Sequence, residues 1–126
     1  LLRPGGRLVV ADGFAMKADY AAGERAMMQK WLNGWGVNFL ETPAKFRNHL
    51  TAAGFRNIVC SDVTRNVMPT SRRLYRLSFP ARFFGGILQW LGLRTKIQTG
   101  NVIAARYQHL ALRRGLWKYN IFSAER

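Results

Sequence analysis

The chain has a single cysteine in 126 residues, six acidic residues against twenty lysines and arginines, and no long uninterrupted apolar run. One cysteine, Cys60, excludes an internal disulfide framework and a cysteine-based zinc site. With Ile58 and Val59 beside it, Cys60 reads as a small buried hydrophobe rather than a nucleophile, and its isolation fits a reducing cytoplasm. Arg, Lys or Gln interrupts every apolar stretch before it reaches the ~18 residues that a membrane span needs. There is no initiator methionine, and Leu1-Leu2-Arg3-Pro4-Gly5-Gly6 is a turn sequence rather than a charged leader before an apolar run. The chain is therefore expected to be a fragment that continues an earlier segment.

The shortage of acid is uneven along the chain. Residues 1–62 carry a net charge of +3, whereas residues 63–126 hold twelve basic residues against Glu125 alone, a net of +11. Such a half suits an anionic partner: a membrane surface, a nucleic acid or an acidic substrate. It equally suits a solvated basic surface balanced by acid elsewhere. At 14.4 kDa and 48% hydrophobic residues, the chain has the composition of one globular domain.

Turn chemistry divides what is there. Pro4 disfavours helical geometry at Arg3, and Gly5-Gly6 accept positive φ, so a strand can begin at once. Leu8-Val9-Val10-Ala11 follows as a short apolar strand, expected to end at Asp12-Gly13. Residues 18–33 read as a helix with Met27, Met28, Trp31 and Leu32 at helical spacing, broken by Asn33-Gly34-Trp35-Gly36. Thr42-Pro43 opens a second helix as N-cap and first helical residue, with Phe46, Leu50 and Ala53 on its inner stripe. Gly54 closes it, and Asn57-Ile58-Val59-Cys60 leads a strand to Asp62. Pro69, Pro80, Gly85-Gly86 and Gly92 are expected to cut residues 63–94 into short helices. A longer helix is expected from about Thr95 to Arg114, stopped by Gly115, and residues 116–123 alternate as a final strand.

Three passages, in order, carry a resemblance. Leu2-Arg3-Pro4-Gly5-Gly6-Arg7-Leu8-Val9-Val10-Ala11-Asp12 resembles the fifth-strand motif of class I S-adenosylmethionine-dependent methyltransferases. Phe46-x3-Leu50-x2-Ala53-Gly54-Phe55 resembles the approach to their sixth strand. Gly115-Leu116-Trp117-Lys118-Tyr119-Asn120-Ile121-Phe122 resembles their closing seventh strand. The likeness is nearest to the tocopherol and ubiquinone type of small-molecule methyltransferase. It implies an α/β fold, the C-terminal part of a Rossmann-like sheet, with three strands near 7–12, 56–62 and 116–124. The last strand would lie antiparallel between the other two. Residues 63–114 would be a lid-like helical insertion within the single domain 1–126. The implied cofactor is S-adenosylmethionine and the implied acceptor is small and hydrophobic, lipid-like or aromatic. The family's glycine-rich loop and ribose-holding acid are absent, so the chain alone is expected to be inactive.

Methyl transfer is an in-line displacement at a sulfonium carbon, so the protein chiefly positions a nucleophile and excludes water. Asp12, at the expected strand end, is the candidate acid–base or substrate-contact residue, though such residues also cap loops. Tyr20 is a candidate hydrogen-bond partner for the substrate. Trp31 and Trp35 are candidate walls of its pocket, with core packing as the alternative. His49 and His109 read as structural or exposed, with no second ligand at metal spacing. Arg72, Arg73 and Arg76 followed by an aromatic run read either as an interfacial helix giving peripheral membrane contact or as a lid helix packed on its own domain. Two other readings compete: an RNA methyltransferase, disfavoured because no RNA-binding module is recognisable, and a non-enzymatic, basic amphipathic membrane-binding module.

Overall fold

The computed structural model describes residues 3–92 and 96–126, except for the side chains at positions 82, 86, 88, 89 and 96–99. Leu1-Leu2, the expected helix start at Thr95, and the side chain of Leu88 lie outside the described residues. The chain divides into two compact units.

The first unit holds residues up to Ala18, Leu40–Val67 and Trp117–Arg126. Its sheet consists of β1 (Arg7–Ala15), β2 (Arg56–Asp62) and β3 (Trp117–Glu125) in the order β1-β3-β2. β3 runs antiparallel to both neighbours, so β1 and β2 are parallel to each other. The expected architecture is therefore present: a small α/β fold with three strands, the last antiparallel between the other two. At the entry, Gly5 takes φ +76° and its N–H donates to the Arg126 carbonyl. One helix of this unit, α2 (Pro43–Ala52), begins as expected: Thr42 in extended geometry accepts from the Lys45 N–H, and Pro43 occupies the first turn. It closes on Gly54, at φ +84°, and the Phe55 N–H donates to the Leu50 carbonyl. Ala53 does not join the inner stripe; it is exposed.

The core of this unit forms because β1 and β3 alternate. Leu8, Val10 and Phe14 share one face of β1, opposite Ala124, Phe122 and Lys118 of β3. Phe14, Phe122 and Phe46 of α2 form a ring triangle with centroids 5.0–5.3 Å apart, in tilted and edge-on geometry. Leu50 and Ala124 complete the buried cluster, and Cys60 packs against it with Ile58 and Phe55. Cys60 thus behaves as the small core hydrophobe its neighbours implied.

β1 departs from expectation in length. It passes through Asp12-Gly13 and ends at Ala15. Gly13 is tolerated within the strand because the Trp117 ring lies over it: a Cβ at this position would sit 3.2 Å from the indole. Missing bulk here makes room for a neighbour instead of marking a stop.

The second unit holds Asp19–Phe39 and Met68–Leu116. Its helices are α1 (Ala22–Trp35), α3 (Thr64–Trp90, whose residues 64–67 belong to the sheet unit) and α4 (Lys96–Arg113). α1 begins and ends later than residues 18–33. Glu24 reaches back to accept from the Ala21 N–H, and Asp19 accepts from the Tyr20 N–H, which holds residues 19–21 outside the helix. At the other end Gly34 stays helical, and Gly36, at φ +68°, is the left-handed cap.

α3 overturns the expectation of short helices. It is one helix of 27 residues with Pro69 and Pro80 inside it. Each proline removes one N–H and its ring crowds the carbonyl four residues back, a cost of about 3 kcal/mol in a helix interior. Packing of the inward face offsets that cost: Ser71, Tyr75, Ser78 and Gly85 are buried or half-buried along it. There Ser71 Oγ lies 3.0 Å from His109 Nδ1 of α4, and Tyr75 stacks on the His109 ring at 4.9 Å. α4 ends as expected at Gly115, φ +66°, where the Leu116 N–H donates to the Ala111 carbonyl.

Candidate functional site

The register of β3 assembles one polar row across the sheet. Asp12 of β1 stands opposite Asn120, and Asn120 stands opposite Asp62 of β2. The adjacent row toward the chain ends, Val10–Phe122–Cys60, is apolar. The polar row therefore interrupts the core face between the positions of Val10 and Phe14, toward the C-terminal ends of the two parallel strands. Open α/β sheets place their ligands at that end.

Its three members differ in chemistry. Asp62 is committed to structure: Lys118 Nζ lies 2.8 Å from one carboxylate oxygen, and the Thr64 N–H donates to the other at 3.0 Å. The bonds from Lys118 and Thr64 hold its pKa down to about 2. Asn120 is only 4% exposed, and its side chain lies beside the Cys60 sulfur. Its Oδ1 is buried with no hydrogen-bond partner among the described residues. An orphaned acceptor costs about 1–3 kcal/mol, so it is a position where a ligand or water gains a bond. Burial raises the Cys60 pKa, which disfavours a thiolate. Asp12 is exposed, and its Oδ1 accepts from the Gly13 N–H at 2.7 Å, which fixes the carboxylate's orientation. Asp12 thus lies within the strand rather than at its end, in the row that faces the ligand end of the sheet.

The other candidates lie in the helical unit. Tyr20 is tied down: its hydroxyl donates to the Leu116 carbonyl at 2.6 Å. Trp31 is 5% exposed, on the buried face of α1 with Met28 and Leu32. Trp35 is half-exposed and lines a groove of about 210 Å³ with Leu74, Leu77 and Ser78 of α3 and Asn101 and Val102 of α4. Trp35 thus has a place on a pocket wall. An apolar cavity of about 150 Å³ suffices for a benzene ring, so this groove accommodates one ring or a short alkyl group.

One histidine is exposed and the other is packed between helices. His49 is exposed and 3.9 Å from Glu41. His109 is buried between Ser71 and Tyr75, and burial, then Arg113 and Arg72, push its pKa down. Among the described residues no cluster of His, Cys, Asp and Glu is arranged to hold a metal ion. Arg72, Arg73 and Arg76 are all exposed.

Sequence reasoning did not single out Asn120. The signal was present: in Lys118-Tyr119-Asn120-Ile121-Phe122, Asn120 shares the strand face of Phe122, so a polar amide interrupts an apolar alternation.

Among the described residues, Gly34-Trp35-Gly36 does not form a cradle for S-adenosylmethionine. Gly34-Trp35-Gly36 is the final turn and cap of α1, and a Cβ at Gly34 would meet Ala104 Cβ at 2.5 Å. These glycines serve helix packing and capping, not a strand-turn-helix cradle for the cofactor.

No protein-family profile and no curated protein sequence matches the chain. Solved structures do match its fold. The Haemonchus contortus phosphoethanolamine N-methyltransferase 2, in complex with phosphomonomethylethanolamine and S-adenosylhomocysteine, superposes on 99% of the chain with a TM-score of 0.66 at 13% identity. A selenomethionine form of that enzyme with S-adenosyl-L-methionine superposes with a TM-score of 0.58, also at 13% identity. The chain spans 27% of the length of either structure. Its fold is similar to the C-terminal part of a methyltransferase Rossmann-like fold.

Proposed function

We propose that the chain is the acceptor-side, C-terminal part of an S-adenosylmethionine-dependent methyltransferase acting on a small, hydrophobic molecule. The observation that carries this reading is the β1-β3-β2 sheet with its antiparallel middle strand, which superposes over 99% of the chain on methyltransferases solved with the cofactor or its product. The cofactor would be held by residues beyond those described, because none of the described glycines forms its cradle.

Within the chain, Asp12 is the group proposed to act on the acceptor. Its carboxylate is exposed, oriented by the Gly13 N–H, and placed in the row at the ligand end of the sheet. It would accept a hydrogen bond from the acceptor's nucleophilic O–H or N–H, orienting the lone pair, and take the proton if one must leave. Asn120 Oδ1 is the second polar contact proposed. Within the helical unit, Trp35 and the aliphatic wall of its groove suit a ring or alkyl group; Trp31 and Tyr20 are assigned to the framework of that unit.

The test is transfer of a labelled methyl group by the protein of the complete reading frame, offered a phenol, a quinol and phosphoethanolamine. Preference for the ring compounds, with at least a tenfold loss of turnover in Asp12→Asn at unchanged cofactor affinity, is the expected result. No transfer to any acceptor, despite cofactor binding, would remove the assignment. Titration calorimetry of the 126-residue chain alone should show no S-adenosylmethionine binding; micromolar affinity would place a cofactor site here after all.

A further inference from the structure

The outward face of α3 is divided along its length. Arg72, Arg73 and Arg76 occupy the middle turns and are exposed. Beyond them Phe83, Phe84, Ile87, Trp90 and Leu91 project outward, with Trp90 85% and Phe83 72% exposed. Arg72, Phe83 and Trp90 follow one another at intervals of eleven and seven residues, both close to whole helical turns, so they form one line down the helix. A second line, through Ser71, Tyr75, Ser78 and Gly85 and roughly 100° round the axis, faces the interior. Cations and rings therefore share one surface, side by side along the axis.

We infer that this face docks on an anionic lipid bilayer, with the helix lying in the plane of the interface. Large, contiguous, exposed apolar residues mark a binding surface. Charge complementarity selects its occupant: no acidic residue occurs between Asp62 and Glu125, a span holding eleven lysines and arginines. A second copy of this face would bring like charges together. Nucleic acid would use the arginines and the rings, but Ile87 and Leu91 present no surface on which a base stacks, whereas an acyl boundary takes both. The geometry matches an interfacial helix, with cations at the headgroups and Phe, Trp and Leu sunk about 5–10 Å below them. No helix of the described residues is long and apolar enough to cross a membrane. The docking does not depend on the reaction proposed above, since it requires neither cofactor nor acceptor.

The test is co-sedimentation of the chain with vesicles of phosphatidylcholine alone and of phosphatidylcholine mixed equally with phosphatidylglycerol. The chain should bind the mixed vesicles and bind neutral ones much more weakly. At about fivefold per arginine near an anionic surface, Arg72→Gln, Arg73→Gln and Arg76→Gln together should weaken binding on the order of a hundredfold. Phe83→Ser, Phe84→Ser and Trp90→Ser together should leave only attraction that moderate salt abolishes. The conservative Trp90→Phe, which leaves the fold undisturbed, should lose most of the tryptophan quenching caused by lipids brominated in their acyl chains. Full binding by the serine variant, or undiminished quenching in Trp90→Phe, would overturn the proposal. So would tighter binding to oligouridylate than to mixed vesicles, abolished by the serine variant, which would make the face a nucleic-acid surface.

Discussion

Gly34 of α1 and Ala104 of α4 mark the closest approach of two helices: a Cβ on Gly34 would lie 2.5 Å from the Ala104 Cβ and 2.8 Å from the Gly100 carbonyl oxygen. Ala104 is fully buried, so neither side has room to yield. Gly34→Ala should therefore destabilise the chain by about 1–3 kcal/mol through overpacking, against a propensity gain of at most about 1 kcal/mol. Gly23, in the first turn of the same helix, has open space where its Cβ would go. Gly23→Ala should stabilise by several tenths of a kcal/mol. Urea denaturation of the two variants should give midpoints on opposite sides of the wild type.

Asp62 makes two separable contributions. Asp62→Asn keeps an acceptor for the Thr64 N–H but loses the ion pair with Lys118, a half-exposed contact worth no more than about 1 kcal/mol. Asp62→Ala loses both and should cost about 1–2 kcal/mol, in the range of a lost cap. Because the folded pKa is depressed to about 2 from an unfolded value of about 3.9, the wild-type contribution is present above pH 4 and fades as pH falls toward 2. The gap between the denaturation midpoints of wild type and Asp62→Asn at neutral pH should narrow by about half at pH 3 and nearly close at pH 2.

His109 acts in the same direction at higher pH. Its folded pKa lies below the 6.5 of the free side chain, so the unfolded chain takes up the proton first. Stability should fall as pH drops through that value, and His109→Gln should flatten the fall between pH 7.5 and 5.5. An unchanged slope in the variant would assign the pH dependence to other groups.

β1 is an edge strand of the sheet, nine residues long, with Val9 59% exposed. Such an edge pairs readily with another chain. Val9→Lys should reduce concentration-dependent association, measured by light scattering, without lowering the denaturation midpoint.

What the sequence by itself determined are the features set by local backbone chemistry. Pro4-Gly5-Gly6, Thr42-Pro43, Gly54 and Gly115 impose their φ values and hydrogen bonds within a few residues, so strand and helix limits near them were legible. The sheet topology was legible only as what the resemblance of residues 2–12, 46–55 and 115–122 to class I methyltransferases implies. Tertiary structure decided the rest, because the deciding partners are distant in sequence. Gly34 reads as a breaker until Ala104, seventy residues on, requires a residue without a side chain there. Gly13 reads as a strand end until the Trp117 ring covers it. Pro69 and Pro80 read as stops, but packing of Ser71 and Tyr75 on His109 carries α3 through them. Asn120 reads as one polar residue in a strand. Only the pairing of β3 with both neighbours sets it between Asp12 and Asp62, buried and with an acceptor still unbonded.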